Sequence, residues 1–246
     1  MRNKFRSLKN LKEKLMKKLI LLLLFIPAVS FAQNMTELTE QNLLRGGNIF
    51  ILDKLKKYDN SEIKGIPYLN KDFQNGKINF QNGKSYDVQL RLDLVSQNFE
   101  IKAKDGKITT ITINETVNIK LDNEVYRLHN FKSNEFGDSG ILRECVVLEN
   151  ISLYYFPRKS LEKPLESSIK APSSGFKKET IAEWKDSGYY VFYINNEYVR
   201  VPSKHKKVLE LNIFDNNEYK SYRKKYKLDL KNERKLIEMV NHFNKI

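Results

Sequence analysis

Between residues 86 and 94, apolar and polar side chains alternate without a break: Tyr86, Val88, Leu90, Leu92 and Leu94 against Asp87, Gln89, Arg91 and Asp93. A period of two puts every second side chain on one face of a strand, so this stretch specifies a long β-strand with a single apolar side. A helix would scatter the same residues around its circumference and bury none of them as a set.

The neighbouring segments repeat the pattern. Strand 77–80 leads into Asn82-Gly83, the dipeptide best suited to a two-residue hairpin turn. Phe99, Ile101 and Ala103 precede Asp105-Gly106 and a strand at 108–113. Val117, Ile119 and Leu121 precede Asp122-Asn123 and a strand at 125–131. A polar loop is expected at 133–140, then strands at 141–148 and 151–156. Short strands joined by tight turns predict an antiparallel meander. Residues 160–175, with Pro164 and Pro172, read as a linker-like excursion. Strands resume at 180–184, 189–194 and 197–201, the last two joined by Asn195-Asn196 and stopped by Pro202.

On either side the periodicity changes. Residues 33–62 are polar, with a short helix expected at 36–44 and either helix or strand at 49–58. Beyond Pro202 the chain reads as helical. Ser203 is placed to cap a helix running to Asn212, and Asp215 with Glu218 forms a capping-box pattern before a helix at 216–226. In 232–244, Leu236, Ile237, Met239, Val240 and Phe243 share one helical face. The expected fold is α+β: a twisted antiparallel sheet or partial barrel over 63–201, with the helical segment 202–246 packed on it.

Residues 16–32 have the three parts of an export signal. Lys17 and Lys18 precede the apolar run 19–26, and Ser30 and Ala32 are small residues in front of a cleavage point between Ala32 and Gln33. The run is much shorter than the ~20 residues of a membrane span. No Cys follows it, so lipid attachment there is not expected. Met16 is the expected start. The chain is expected in the periplasm or outside the cell, with no transmembrane helix after processing.

Charge is distributed unevenly along the chain. Residues 33–199 carry 23 basic and 23 acidic side chains; residues 200–246 carry 13 and six. The basic clusters Lys204, Lys206, Lys207 and Arg223, Lys224, Lys225, Lys227 are the candidate contacts for an acidic partner: lipid, glycan or envelope protein. Export disfavours nucleic acid. The strand Tyr189, Tyr190, Phe192, Tyr193 is apolar on both faces, and its aromatics are candidate contacts if one face is open.

No catalytic constellation, metal site or cofactor motif emerges. Gly137-Asp138-Ser139-Gly140 near His129 resembles a serine-protease loop, but ten residues separate base and nucleophile where those enzymes draw them from different barrels. The histidines, His129, His205 and His242, lie on three different elements, and Cys145 is the one cysteine. It sits in the apolar run Cys145-Val-Val-Leu148 and reads as a small core residue.

Gly65-Ile66-Pro67-Tyr68-Leu69, then Phe73 and Gly76, followed by Val88-Gln89-Leu90-Arg91, resembles a family of uncharacterised secreted proteins of Gram-negative bacteria with a G-x-P-Y-L-x-x-x-F-x-x-G start. Gln89 stands where that pattern has Pro, and Leu92 where it has an aromatic. The final helix, Leu236-Ile237 to Phe243-Asn244, fits as well. The resemblance implies an exported protein and carries no activity and no site residues. The expected function is therefore a non-enzymatic envelope protein that binds or supports another component. The alternative is a carrier of lipid or another apolar ligand in a cavity lined by Leu90, Leu92, Leu94 and Ile111; a hydrolase is the third and least supported reading.

Overall fold

A computed structural model of the chain describes residues 49–52, 63–133, 137–162 and 181–244. The export signal, the helix expected at 36–44, residues 53–58 and most of the linker lie outside the described residues. All described residues belong to one unit, Leu38–Ile246.

The strands are β1 (Ile49–Leu52), β2 (Ile63–Lys64), β3 (Gln74–Phe80), β4 (Ser85–Asp93), β5 (Asn98–Lys102), β6 (Ile108–Ile113), β7 (Val117–Leu121), β8 (Glu124–Ser133), β9 (Gly137–Val146), β10 (Ile151–Phe156), β11 (Lys159–Glu162), β12 (Ala182–Asp186), β13 (Tyr189–Ile194) and β14 (Glu197–Arg200). Eleven of them form one sheet in the order β1-β6-β5-β4-β3-β7-β8-β9-β10-β13-β14, and β11-β12-β2 form a second. The ladders of the large sheet are antiparallel, and β12 pairs with β2 in parallel. The α+β class and the twisted antiparallel sheet are as expected.

The predicted turns carry the hairpins. Asn195 and Asn196, and likewise Asp122 and Asn123, all have positive φ. A two-residue turn of that type matches the strand twist, which is why Asn and Asp are found there.

The chain order departs from a plain meander. After β6 the chain returns to the far side of β3 as β7. In a flat sheet β6 and β7 would lie ~19 Å apart. Residues 114–116 alone join them, a link of at most ~14 Å. The sheet must therefore curl, and ring contacts show that it does: Phe99 on β5 and Tyr126 on β8, also four strands apart, meet edge to face at 6.3 Å between ring centres. The apolar faces of β3 to β9 close on one core, with Ile78, Leu90, Leu92, Phe99, Ile111, Val117 and Ile119 all buried.

A second curl runs the opposite way. His129 Nδ1 on β8 lies 2.7 Å from the Tyr198 hydroxyl on β14, again four strands along the sheet. His129 and Tyr126 are three residues apart, so they point to opposite faces of β8. Leu142, Tyr154, Phe156 and Val191 form the small core of this second concavity.

Three helices follow: α1 (His205–Glu210), α2 (Asn216–Tyr226) and α3 (Glu233–Phe243). They cover the outer face of the second curl, where Ile151, Leu153 and Phe192 pack with Tyr219, Tyr222, Leu236, Met239, Val240 and Phe243.

Three expectations need correcting, and one open alternative is resolved. The 133–140 loop is too long: residues 137–140 already belong to β9, with Gly140 opposite His129. The excursion from 160 begins in β11, which pairs with β12 from Lys159 to Glu162. Within the ambiguous stretch 49–58, residues 49–52 are a strand on β6. Helix α1 ends at Glu210, and its N-cap is Lys204, whose side chain makes no capping bond, rather than Ser203. In each case pairing across the sheet or packing overrides local composition.

Candidate functional site

The segment from Gly65 to Gly76 pins the first curl. Gly65 turns the chain at φ +87°. The Leu94 N–H donates to the Pro67 carbonyl at 3.0 Å and the Leu69 N–H to the Leu92 carbonyl at 2.9 Å. Arg91 is held between the Tyr68 and Phe73 rings, 3.7 and 4.5 Å from their centres, while its Nε and an Nη donate to Glu100 at 2.8 and 2.6 Å. Tyr68 donates its hydroxyl to the same carboxylate at 3.3 Å. Both charges are largely buried and each is satisfied, so this cluster holds a loop against β4 rather than meeting a substrate.

A second ionic cluster fastens α3 to the sheet. Arg143 on β9 donates to Glu233 at the start of α3 and lies 3.1 Å from Glu124. Tyr190 donates to Glu233 at 3.0 Å. Burial works against the guanidinium charge; the hydrogen bond and charge of Glu233, with Glu124 behind it, outweigh burial and raise its pKa. Cys145 lies within reach of the same charges, and burial pushes its thiol up to about 12. A thiol so reluctant to ionise is a poor nucleophile.

The aromatic strand is divided by its own alternation. Phe192 is fully buried under the helices, edge to face with Phe214 at 5.9 Å, and Tyr190 is tied to Glu233 on that same face. Tyr189 and Tyr193 belong to the opposite face, with Tyr154 and Tyr198. The four candidate aromatics therefore form no common surface. On the inner face His129 lies 4.8 Å from the Tyr154 ring, and burial, then Arg127, lower its pKa to about 4. Its neutral imidazole belongs to a packed aromatic wall. Ser139 is not its partner: Gly140 stands opposite His129, which turns Ser139 to the other face of the sheet.

Leu90, Leu92, Leu94 and Ile111 are buried in the core of the first curl; Leu90 is paired across strands with Ile101 and Leu92 with Phe99. Among the described residues no group of three or more His, Cys, Asp or Glu could hold a metal ion, and no helix is long and apolar enough to cross a membrane.

The basic clusters are what the fold leaves open. Lys204, Lys206, Lys207, Arg223, Lys224, Lys225 and Lys227 are all exposed. They also converge. His205 at the start of α1 lies 2.8 Å from the Tyr219 hydroxyl of α2, and its pKa is lowered by burial and then by the nearby Arg223 charge. Two clusters sixteen or more residues apart in sequence thus share one corner. Tyr219 and Tyr222 are buried, so the helix is anchored by aromatics and its charged side is left to solvent. Lys207 is partly neutralised by Glu210 at 2.7 Å. Sequence reading located these cations but could not show that α1 and α2 adjoin.

Comparison with family models, with curated proteins and with solved structures finds no match for this chain.

Proposed function

We propose that the chain is a non-enzymatic binding protein of the cell envelope, exported by the signal at 16–32, which holds an acidic envelope component against the corner formed by α1 and α2. One observation carries this reading: the charge is segregated. Residues 33–199 are balanced at 23 basic and 23 acidic side chains, while residues 200–246 have 13 against six, and the clustered cations of that segment face solvent. Exposed cations clustered at one corner create a local positive field, which attracts a polyanion and weakens as salt is added.

The test is binding of the full chain to isolated envelope material at low and high ionic strength. Replacing Lys204, Lys206, Arg223 and Lys224 together with Gln is expected to reduce binding at least tenfold at low salt, with the far-UV spectrum unchanged. If the unaltered chain binds no acidic envelope fraction, the reading fails.

A further inference from the structure

The cations of α2 are not equivalent. Residues three and four apart share a helical face, so Lys220, Arg223 and Lys224 form one stripe, and Lys227 follows it at the C-terminal cap. Lys225 falls elsewhere, with its ammonium 4.9 Å above the Tyr226 ring. Lys220 stands outside the Arg223–Lys227 run and joins it only through the helical period. Because His205 of α1 meets Tyr219 and lies near the Arg223 charge, its chain neighbours Lys204 and Lys206 are brought to the same corner as this stripe. Of the carboxylates at this corner, Glu210 is paired with Lys207, while Asp229 accepts from the Lys231 N–H at 2.9 Å and keeps its charge close to His205.

These cations are exposed on the outer side of a helix, where side chains point away from the axis. Such side chains diverge, whereas a single small anion needs donors that converge on it. Diverging cations suit a surface that offers many phosphates at once. The apolar side of α2 is spent on Tyr219 and Tyr222 in the core and leaves Tyr226 alone exposed at its C-terminal end, too little apolar surface to insert the helix between acyl chains. We infer that Lys220, Arg223, Lys224 and Lys227, flanked by Lys204 and Lys206, form an electrostatic docking face for a phosphate-bearing lipid surface, and that Lys225 lies outside it. The inference rests on the binding reading above and gives that reading its partner.

Co-sedimentation of the full chain with vesicles of phosphatidylglycerol in phosphatidylcholine, and with pure phosphatidylcholine, tests it. Every variant keeps the same N-terminal residues, so their contribution is common to all. The unaltered chain should partition to the anionic vesicles and leave them in high salt. A cation near such a surface is worth about fivefold, so K220Q/R223Q/K224Q should lose about a hundredfold. K220Q alone should lose as much as K224Q, and K225Q should stay within about twofold of the unaltered chain. Equal losses for K225Q and K220Q would overturn the assignment of the face. Binding to soluble dextran sulfate that the triple substitution abolishes, without binding to the vesicles, would overturn the lipid and leave the basic corner standing. Binding to neither would remove both. All these side chains are exposed, and an unchanged melting curve separates lost binding from lost structure.

Discussion

Two glycines show how tightly individual residues set this fold. A Cβ at Gly76 would stand 2.7 Å from the Lys120 carbonyl oxygen and 3.1 Å from Leu90 Cδ2. One at Gly188 would stand 2.9 Å from the Phe156 carbonyl and collide with the Tyr155 ring. In both places the obstacle includes backbone, which cannot swing away. Gly76→Ala and Gly188→Ala should each cost roughly 1–3 kcal/mol in denaturant unfolding. Gly106→Ala, where φ is +84° but no atom lies within 4 Å, should cost about 1 kcal/mol from backbone strain alone. Equal costs at all three would mean that the close approaches contribute nothing. The sequence showed Gly76 as part of a motif, but its purpose is a contact with β7, forty-four residues away. Gln97 is a similar case. At φ 56° it donates to the Leu94 and Pro157 carbonyls at 3.1 and 2.9 Å and accepts from the Ile141 N–H at 3.2 Å. Nothing in its neighbours along the chain announces those three partners.

Among the elements, α2 was the easiest to anticipate and is the simplest to test. The Asp215 carboxylate accepts from the N–H groups of Asn217 and Glu218 at 3.0 and 2.8 Å. The return half of the expected capping box is absent, because Glu218 reaches instead to His242 Nε2 at 3.2 Å. Asp215→Ala should lower stability by about 1 kcal/mol and the melting temperature by about 2–4 °C, readable by circular dichroism. Hairpins were legible for the same reason as this cap: turn residues act on the backbone beside them. Pairings β3–β7 and β2–β12 were not legible, since they join segments about 40 and 120 residues apart through backbone groups that every residue carries. The aromatic strand and the α2 stripe fall between these cases. Their facing follows from periods of two and 3.6 that the sequence already displays, and it becomes visible once the faces are counted separately.

At the scale of the molecule, two histidines tie stability to pH. Burial, then Arg127, pulls His129 from its ordinary 6.5 to about 4; burial, then Arg223, lowers His205. Between pH 6.5 and about 4 the unfolded chain therefore binds more protons than the folded one, and stability falls as the pH falls. The contribution is complete above pH 6.5, and protonating His129 removes roughly 3 kcal/mol of it. Melting temperatures measured from pH 7 to pH 4.5 should decline, and His129→Gln should flatten the slope. An unchanged slope in that variant would show that the His129 pKa does not differ between the folded and the unfolded chain. Strand β8 stands between the two curls, with Tyr126 in one core and His129 in the other. It works as a party wall whose two sides were specified independently. A single inserted residue there would not merely shift one register: it would exchange the contents of both rooms, sending an imidazole into an all-apolar interior and a core tyrosine out of it. Lengthening β8 is thus a local edit that neither half of the molecule could absorb on the other's behalf, and β9, with Ile141 in one core and Leu142 in the other, shares that property.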